Sequence, residues 1–425
     1  MGEVANIPQL RFPEFDQPLL TDILLNLTDV LRCGIAATPK YVDSGITFLS
    51  SQNVTPTGKI LMDKCNFISE DYYKKISKNA KLLKGDILYS RVGARYGNAA
   101  IFPFEGDYGV YVSLTHIRAS QKLDNTFLKF LLNSPIGKTQ AKKGVFQGGG
   151  VPNLNVKVVE KFKINFPSKP EQQKIAAFLT AVDAKIEQLI KKKELLDEYK
   201  KGLMQQIFSQ AIRFKADDGS DFPDWKEKKL ENVLKRTSTG LNPRQNFKLG
   251  YGENYYVTIK NISNGKLDFS KCERIDENAM TMIANRSDLS KGDLIMSSIG
   301  NVGESYLLDK EPENWNINES VFMLRASELM LPQFLYFIIT NEQSKWYLES
   351  NSTGSSFKSI KLGELKLLPL GLPSLEEQTK IANFLSSIDT KIEQVGKQLD
   401  ESKQFKKPCF SRCLYKYGNP KRTST

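Results

Sequence analysis

The nineteen residues EQQKIAAFLTAVDAKIEQL, from Glu171 to Leu189, return later in the chain as EQTKIANFLSSIDTKIEQV, from Glu377 to Val395. Twelve of the nineteen positions are identical, and the copies lie 206 residues apart in a chain of 425. A repeat at nearly half the chain length is far longer than the period of a solenoid. The sequence therefore predicts two units, each of which ends in the same helix.

The correspondence between the two halves extends well upstream of this helix. It covers short framework segments, and the residues between them differ strongly. This pattern is expected if two domains share one scaffold and recognise different things. The corresponding segments are KGDIL (84–88) and KGDLI (291–295), Gly93 and Gly300, Gly97 and Gly303, Gly148 and Gly354, INFPS (164–168) and GLPS (371–374), and FPEF (12–15) and FPDW (222–225).

Each half combines strand and helix patterns, so the predicted fold class is mixed α+β. Short apolar runs bounded by Gly, Asn and Pro are typical of strands, as at residues 86–90, 164–166 and 293–297. In each KGD segment the glycine favours a turn that leads into a strand. Residues 126–132 and 332–340 have helical patterns.

The duplicated stretch continues into a long helix whose apolar residues recur every four and three positions in alternation. This period of 3.5 is the signature of a coiled coil, and Lys193 and Lys200 interrupt it in the first copy. Two such helices in one chain fit an antiparallel coiled coil between two globular domains. The alternative is that each helix is only the C-terminal core helix of its own domain. The seam residues are Ile175, Leu179, Val182, Ile186, Leu189, Leu196, Leu203, Ile207, Ile381, Leu385, Ile388, Ile392, Val395 and Leu399.

The composition is that of a folded and basic protein. It is 40% hydrophobic and 25% charged, with a net charge of +12 at pH 7. A chain this basic usually meets a polyanion, most often nucleic acid; a merely basic surface is the alternative. Five scattered cysteines favour reduced thiols in the cytoplasm, and no apolar run is long enough to predict a membrane span.

The residues that carry chemistry in enzymes do not form a catalytic pattern here. The single histidine, His116, lies in an alternating run typical of a strand. Gly137-Lys138-Thr139 resembles the end of a P-loop, but Leu132 stands where that motif needs its first glycine. Cys409 and Cys413 are a close pair, yet without a second pair they do not indicate a metal site. We therefore expect no catalytic residue, metal or cofactor in this chain.

These features together resemble the specificity subunit of type I restriction–modification systems over nearly the full length. The resemblance is carried by Pro167 with Glu171 to Leu179, and by the same pattern from Pro373. The Lys-Gly-Asp strand entries and the RFPEF and FPDW openings belong to it as well. The occurrence of the helix motif twice at this distance is its most specific element.

The resemblance implies a subunit that recognises DNA and has no catalytic activity of its own. Two target recognition domains would each read one half of a split site on double-stranded DNA, and the antiparallel helices would set the spacing. Two modification subunits, which hold S-adenosylmethionine for adenine methylation, would dock on the helices. Restriction subunits, which use ATP and Mg, would complete an ATP-dependent endonuclease.

The expected domains follow from the repeat. They are target recognition domain 1 (residues 1–165), the first repeated helix (166–212), target recognition domain 2 (213–371), the second repeated helix (372–410) and a basic tail (411–425).

Two polar loops in each domain carry the side chains expected to touch DNA. Base reading needs donors and acceptors in the major groove, while lysines and backbone amides hold phosphates. The alternative is that these are ordinary polar loops whose glycines serve turns. The candidates are Arg91, Arg95, Tyr96, Asn98, Gln147, Asn153 and Asn155 in the first domain, and Ser298, Asn301, Ser355, Ser356, Lys358 and Lys361 in the second.

Pro408 distinguishes the second helix from the first, which has Gly202 at the same place. A proline inside a helix costs about 3 kcal/mol or more. We therefore expect the second helix to end near Lys407, short of the length of the first.

Two other functions stay open at this point. One is a coiled-coil scaffold that binds proteins and does not recognise DNA. The other is a single-chain DNA methyltransferase or nuclease whose motifs are unrecognised.

Overall fold

The computed structural model of the chain describes residues 11–77, 81–146, 150–244, 246–355 and 357–414. The chain divides into two compact units. Unit 1 comprises Met1–Ile190 and Lys397–Thr425, and unit 2 comprises Lys191–Gly396. Each of the two long helices therefore contributes one part to each unit.

The globular part of unit 1 is built from short strands and helices. Its strands are β1 Leu20–Ile23, β2 Thr28–Cys33, β3 Ile46–Leu49, β4 Asn66–Ile68, β5 Ile87–Ser90, β6 Ala99–Ile101, β7 Tyr108–Val110, β8 Leu114–Ala119, β9 Val145–Phe146, β10 Asn153–Leu154 and β11 Lys163–Phe166. Its helices are α1 Glu70–Ile76, α2 Asn125–Asn133, α3 Pro135–Gly144 and α4 Val156–Val159. The first long helix, α5, spans Lys169–Phe208.

The globular part of unit 2 follows the same order apart from one pair of strands in each unit. Its strands are β12 Lys226–Lys229, β13 Leu234–Thr239, β14 Asn254–Val257, β15 Ile262–Ser263, β16 Lys266–Leu267, β17 Glu273–Ile275, β18 Leu294–Ser297, β19 Ser305–Leu307, β20 Trp315–Ile317, β21 Val321–Ala326 and β22 Pro369–Leu372. Its helices are α6 Glu277–Ala284, α7 Pro332–Thr340, α8 Glu342–Ser350 and α9 Leu362–Lys366. The second long helix, α10, spans Leu375–Leu414. The pair β15 and β16 is added in unit 2, and the described part of unit 2 has no named strands equivalent to β9 and β10.

The two units share their sheet topology. Unit 1 has a four-stranded sheet in the order β2-β8-β5-β6 and a three-stranded sheet β4-β3-β7, in which β3 and β7 run parallel. Unit 2 has the matching orders β13-β21-β18-β19 and β17-β14-β20, again with one parallel pair, β14 and β20. In each unit a two-stranded sheet, β1-β11 or β12-β22, immediately precedes the long helix. The predicted mixed α+β class with two domains is therefore confirmed.

The Lys-Gly-Asp segments form the same turn before β5 and β18. Gly85 and Gly292 have φ angles of +92° and +88°, in the region that favours glycine. The aspartate that follows is buried and accepts a backbone N–H hydrogen bond of 2.8 Å, from Leu83 to Asp86 and from Ser290 to Asp293. The segment therefore combines a glycine turn with a carboxylate that closes it.

Each of these carboxylates also receives both nitrogens of an arginine fork. Arg118 on β8 donates to Asp86 at 2.8 and 2.7 Å, and Arg325 on β21 donates to Asp293 at 2.7 and 2.8 Å. In unit 1 the ring Nε2 of His116 lies a further 2.7 Å from Asp86. Burial alone would raise the pKa of Asp86, but the hydrogen bonds from Arg118, His116 and Leu83 outweigh it and lower that pKa to about 2.

The long helices are attached to their units by the glutamate and glutamine of the duplicated motif. Glu171 and Glu377 are 1% and 0% exposed, and each accepts two hydrogen bonds from one arginine, Arg11 or Arg213. The glutamines bind backbone groups in the same way in both units. The side chain of Gln172 accepts from Asp124 N and donates to Lys122 O and Pro167 O, and that of Gln378 accepts from Leu331 N and donates to Leu329 O and Pro373 O.

Burial along both long helices follows the period of 3.5. None of the fourteen predicted seam residues is exposed, and the interrupting Lys193 and Lys200 are half-buried in the same register. Both helices are 40 residues long. Within the described residues, no helix is long and apolar enough to cross a membrane.

The two helices contact each other through ion pairs at equivalent places. In unit 2, Lys200 of α5 lies 2.6 Å from Asp389 of α10, and beyond the end of α5 Arg213 lies 2.9 Å from Glu377. Residue numbers rise along one helix as they fall along the other, so the helices are antiparallel. In unit 1, Lys406 pairs with Asp183, which is the same pair displaced by one repeat.

The prediction that Pro408 ends the second helix is wrong. Helix α10 continues to Leu414 and has the same length as α5. A proline removes one backbone donor and therefore one hydrogen bond of the helical ladder. The bonds before and after that position remain available, so the backbone stays helical through it.

We expect replacement of Asp86 by Asn to destabilise unit 1 at neutral pH by about 2 to 4 kcal/mol, because a buried arginine-paired carboxylate is lost. The pKa of Asp86 is lower in the folded chain than in the unfolded chain. Its contribution is therefore complete above about pH 4 and is lost as the pH falls towards 2. Urea unfolding of both proteins across this range, with hydrogen exchange of β5 and β8, measures the effect.

The exposed Asp43→Asn substitution in the same unit is the matched control. Equal stability of Asp86→Asn and the unaltered chain at pH 7 would contradict the role given to Asp86.

Lys200→Glu is expected to weaken unit 2 by about 0.5 to 1 kcal/mol, because it places a like charge beside Asp389. The exchange of both charges, Lys200→Glu with Asp389→Lys, should recover most of this loss. Thermal unfolding of the two single variants and the double variant gives the coupling energy. Lys191→Glu, in the exposed pair with Glu194, is the control. Strict additivity of the Lys200 and Asp389 changes would show that the pair contributes nothing.

Candidate nucleic-acid interface

The first candidate loop follows a fully buried strand in each unit. Residues 91–98 follow β5 in unit 1, and residues 298–304 follow β18 in unit 2. Gly97 and Gly303 have φ angles of +80° and +94°, and each lies against a neighbouring helix. A Cβ at Gly97 would lie 3.3 Å from Ala141 of α3, and one at Gly303 would lie 3.0 Å from Leu348 of α8. The paired glycines therefore let the loop turn tightly over that helix.

The second candidate loop is joined to the first by the same backbone hydrogen bonds in both units. Gly93 N donates to Pro152 O at 3.0 Å, and Gly300 N donates to Lys358 O at 2.8 Å. Leu154 N donates to Arg91 O, and Ile360 N donates to Ser298 O. The four loops thus form two equivalent edges, and we define the loop edge of unit 1 as residues 91–98 with 150–155. The loop edge of unit 2 is residues 298–304 with 353–361.

Arg91 and Ser298 occupy equivalent buried positions at the base of these edges. Arg91 is 8% exposed and donates to Leu154 O, Val112 O and the side-chain oxygen of Asn153. Ser298 is 4% exposed and donates to Ser320 O at 2.7 Å. Arg91 joins the two loops of its edge, whereas Ser298 fixes its loop to the segment before β21, and the donors of both side chains are directed into the protein.

Asn98 is also buried, and its partner is a lysine that the sequence analysis did not connect with the loops. The ammonium group of Lys138, on α3, donates to Asn98 Oδ1 and to Gly97 O. Burial lowers the pKa of Lys138 to about 8. Lys138 belongs to the Gly137-Lys138-Thr139 segment that resembles a P-loop end. The segment is not a phosphate-binding loop by its sequence, and in the structure its lysine anchors the first loop.

The remaining candidates in unit 1 differ in exposure. Arg95 is exposed, and its guanidinium donates to Gln52 O. Tyr96 is half-buried, and Asn153 is exposed beside Arg91. Asn155 is exposed and caps α4 by accepting from Lys157 N. The structure therefore brings Arg95, Tyr96, Asn153 and Asn155 to one edge, while Gln147 lies outside the described residues.

The candidates of unit 2 form the corresponding edge. Asn301, Ser355, Lys358 and Lys361 are all exposed on its two loops. Ser356 lies outside the described residues, as do the basic tail from residue 415 and the side chains of Cys409 and Cys413. Unit 2 therefore presents amide, hydroxyl and ammonium groups where unit 1 presents guanidinium, phenol and amide groups.

The two edges can form hydrogen bonds with a ligand but lack the arrangement of a metal site. Within the described residues, no group of three or more His, Cys, Asp or Glu side chains is placed to hold a metal ion. Arginine and asparagine side chains can contact base edges bidentately, and lysines contact phosphates as point charges. The chemistry of both edges is that of recognition by hydrogen bonds and charge.

Comparison with known proteins identifies the family. The sequence matches the family described as "Type I restriction modification DNA specificity domain" twice, over residues 40–197 and 223–401. The two matched segments correspond to the two units of the repeat.

Relatives that match over most of their length are named as specificity subunits. The chain is 25% identical over 366 residues to the type I restriction enzyme MjaVIII specificity subunit of Methanocaldococcus jannaschii, covering 82% of each chain. It is 25% identical over 428 residues to the putative type I restriction enzyme MjaX specificity subunit of the same organism, covering 97% of this chain and 94% of the relative.

Solved structures share the fold at lower identity. The crystal structure of a type I restriction–modification S subunit from M. genitalium matches 97% of this chain with a TM-score of 0.59 at 14% identity, and the match covers 100% of that subunit. A chain from a structure of type I R-M complex assembly matches 95% of this chain with a TM-score of 0.54 at 17% identity, covering 99% of its length. The two segments that match the family together make up well over half of this chain. The chain therefore belongs to the type I restriction–modification DNA specificity family.

Proposed function

We propose that this chain is the DNA-recognition subunit of a type I restriction–modification complex, and that each loop edge reads one half of a bipartite site. One observation carries the proposal. The two edges are joined by equivalent backbone hydrogen bonds but present different side chains. A constant backbone with variable donors and acceptors is the arrangement needed to read two different base sequences with one scaffold.

The side chains that we assign to base reading are exposed and capable of directed hydrogen bonds. Arg95, Asn153 and Asn155 serve in unit 1, and Asn301 serves in unit 2. Arg pairs best with the acceptors of guanine, and Asn pairs best with adenine. Lys358 and Lys361 carry charge without a planar fork, so we assign them to phosphates. Arg91, Asn98 and Ser298 act indirectly, because they position the loops.

The long helices supply the part of the complex that does not depend on the DNA sequence. We assign to them the spacing between half-sites and the docking of two modification subunits, which hold S-adenosylmethionine. Restriction subunits with ATP and Mg complete the complex. The proposed domains are residues 1–165 and 213–371, with helix α5 after the first and helix α10 after the second, and the duplicated helix sequence supports a partner of one kind on both helices. We place the complex in the cytoplasm, in keeping with the five scattered cysteines.

Exchange of residues 13–165 for the same region of another specificity subunit is expected to change one half-site and leave the other intact. The reason is that each loop edge belongs to a single unit. Methylation sequencing of cells that express the exchanged chain with its modification subunits reads both halves at once.

The matched control is exchange of residues 226–372, which should change the other half-site. Alteration of both half-sites by either single exchange would contradict the assignment of one half-site to one unit. If the unaltered chain, expressed with its modification subunits, gave no methylation motif, the proposed function itself would be contradicted.

Lys358→Ala and Lys361→Ala are each expected to weaken DNA binding similarly for all sequences. Each should reduce the magnitude of the negative slope of log binding constant against log salt concentration by about 1, because one counterion fewer is released. Fluorescence anisotropy of the complex on a labelled duplex, titrated with salt, measures the slope. Lys226→Ala, exposed at β12 and outside the loop edge, is the control. An unchanged slope in both loop variants would show that these lysines do not contact phosphates.

A further inference from the structure

The loop edges carry apolar side chains that the assigned hydrogen bonds do not explain. Among the large apolar side chains of the described residues, Phe357 and Phe146 are the two most exposed, at 75% and 74%. Val151 is 68% exposed. Single exposed apolar residues are normal on a protein surface. Here, however, Val151 and Phe357 lie on the second loops of the two edges, and Phe146 lies on β9, which pairs with the second loop of unit 1.

Val151 and Phe357 occupy the same structural position in the two units. Val151 precedes Pro152, whose carbonyl accepts from Gly93 N, and Phe357 precedes Lys358, whose carbonyl accepts from Gly300 N. The surrounding sequences, GGGVPNLN and GSSFKSIK, share few residues. An exposed apolar side chain is therefore present at this position in both units although most of its neighbours differ.

Phe146 lies beside this position in unit 1. It is paired with Asn153 in the short hairpin of β9 and β10, so the phenyl ring and the amide belong to neighbouring strands. We define Phe146 and Val151 as the apolar tip of unit 1, and Phe357 as the apolar tip of unit 2.

The charge around the tips favours a polyanion as the molecule that covers them. Lys358 is adjacent to Phe357 and Lys361 lies three residues further on, and both are exposed. Lys142 and Lys143 form the last turn of α3, just before Phe146. In a DNA duplex, the apolar surfaces available to such a tip are the thymine methyl group in the major groove and, where the tip unstacks a base step, the base face.

We propose that the apolar tip of each unit packs against bases of the half-site that this unit reads, so that Phe357 and Phe146 contribute to recognition by apolar contact. The inference rests on the proposed function and adds a second mode of contact to it. The hydrogen-bonding side chains read base edges, the lysines hold phosphates, and the tips cover base surface that would otherwise face water. Phe357 acts in the half-site of unit 2, and Phe146 with Val151 acts in that of unit 1.

The proposal makes a distinction that salt can test. An apolar contact with a base releases no counterion, so its loss lowers affinity without changing the salt slope. Loss of Lys358 or Lys361 changes that slope. The two kinds of contact are therefore separable in one titration, although Phe357 and Lys358 are adjacent.

The experiment uses the full-length chain purified with its modification subunits and a fluorescein-labelled duplex that holds the site found by methylation sequencing. Phe357→Ala is expected to bind this duplex about ten-fold more weakly, which is within the range for the loss of one base-pair contact in a specific site. Its salt slope should equal that of the unaltered complex. On a duplex in which only the unit 2 half-site is scrambled, Phe357→Ala and the unaltered complex should bind with similar affinity, because the unaltered complex has already lost the Phe357 contact there.

Three further variants sharpen the test. Phe146→Ala should show the same loss on the half-site of unit 1. Phe357→Trp should keep most of the affinity, because an aromatic face is retained. Trp346→Ala is the matched control, since Trp346 is 70% exposed on α8 and lies outside the loop edge. Co-purification of the modification subunits with every variant shows whether assembly is intact.

The outcomes separate this inference from the function on which it rests. Full affinity of Phe357→Ala and Phe146→Ala for the site, with specific binding by the unaltered complex, overturns the inference and leaves the proposed function standing. Loss of modification subunits from these variants, with DNA binding unaffected, also overturns it, because the tips would then be protein contacts. Equal binding of the unaltered complex to specific and scrambled duplexes overturns the proposed function itself.

Discussion

A buried carboxylate at the start of each long helix is the constraint on which the rest of this structure depends. Glu171 and Glu377 are almost fully removed from solvent, and each is neutralised by an arginine from a distant part of the chain. A buried charge without its partner costs several kcal/mol. The helix, the strand before it and the arginine segment must therefore assemble together. This requirement gives a physical reason for the recurrence of the glutamate and its neighbouring glutamine in both copies of the helix.

The pairing of buried polar groups also explains how one scaffold carries two different surfaces. The turn aspartates Asp86 and Asp293 each close a glycine turn and bind an arginine fork. The loops beyond them are joined by backbone N–H and C=O groups, which every residue except proline supplies in full. Because these contacts do not depend on side chains, the residues that face outward are free to differ. Arg91 in one unit and Ser298 in the other show that even an anchoring side chain can change, since the two donate to carbonyls at different positions.

Several features were predictable because they depend on residues close together in the sequence. The period of 3.5 predicted which side of each helix is buried, and the glycine before each aspartate predicted a turn leading into a strand. The helix end expected at Pro408 did not occur, because the loss of one hydrogen bond is small beside the other bonds and contacts of a helix of 40 residues. The candidate loops were recognisable from glycine and polar residues, but their contact with each other was not, since it joins segments about sixty residues apart.

By itself, the amino-acid sequence determined the duplication, the mixed class of each unit and the long helices, because identity and periodicity are properties of the chain read in order. Only the tertiary structure decided which loop residues reach solvent. Arg91 and Asn98 read as polar loop residues, yet both are buried, because Leu154 O and Lys138 Nζ come to them from distant segments. Conversely, Phe357 is a large apolar residue and is exposed, because the backbone hydrogen bond at Lys358 holds its loop at the edge. Burial depends on what the rest of the chain places around a side chain, and local sequence does not contain that information.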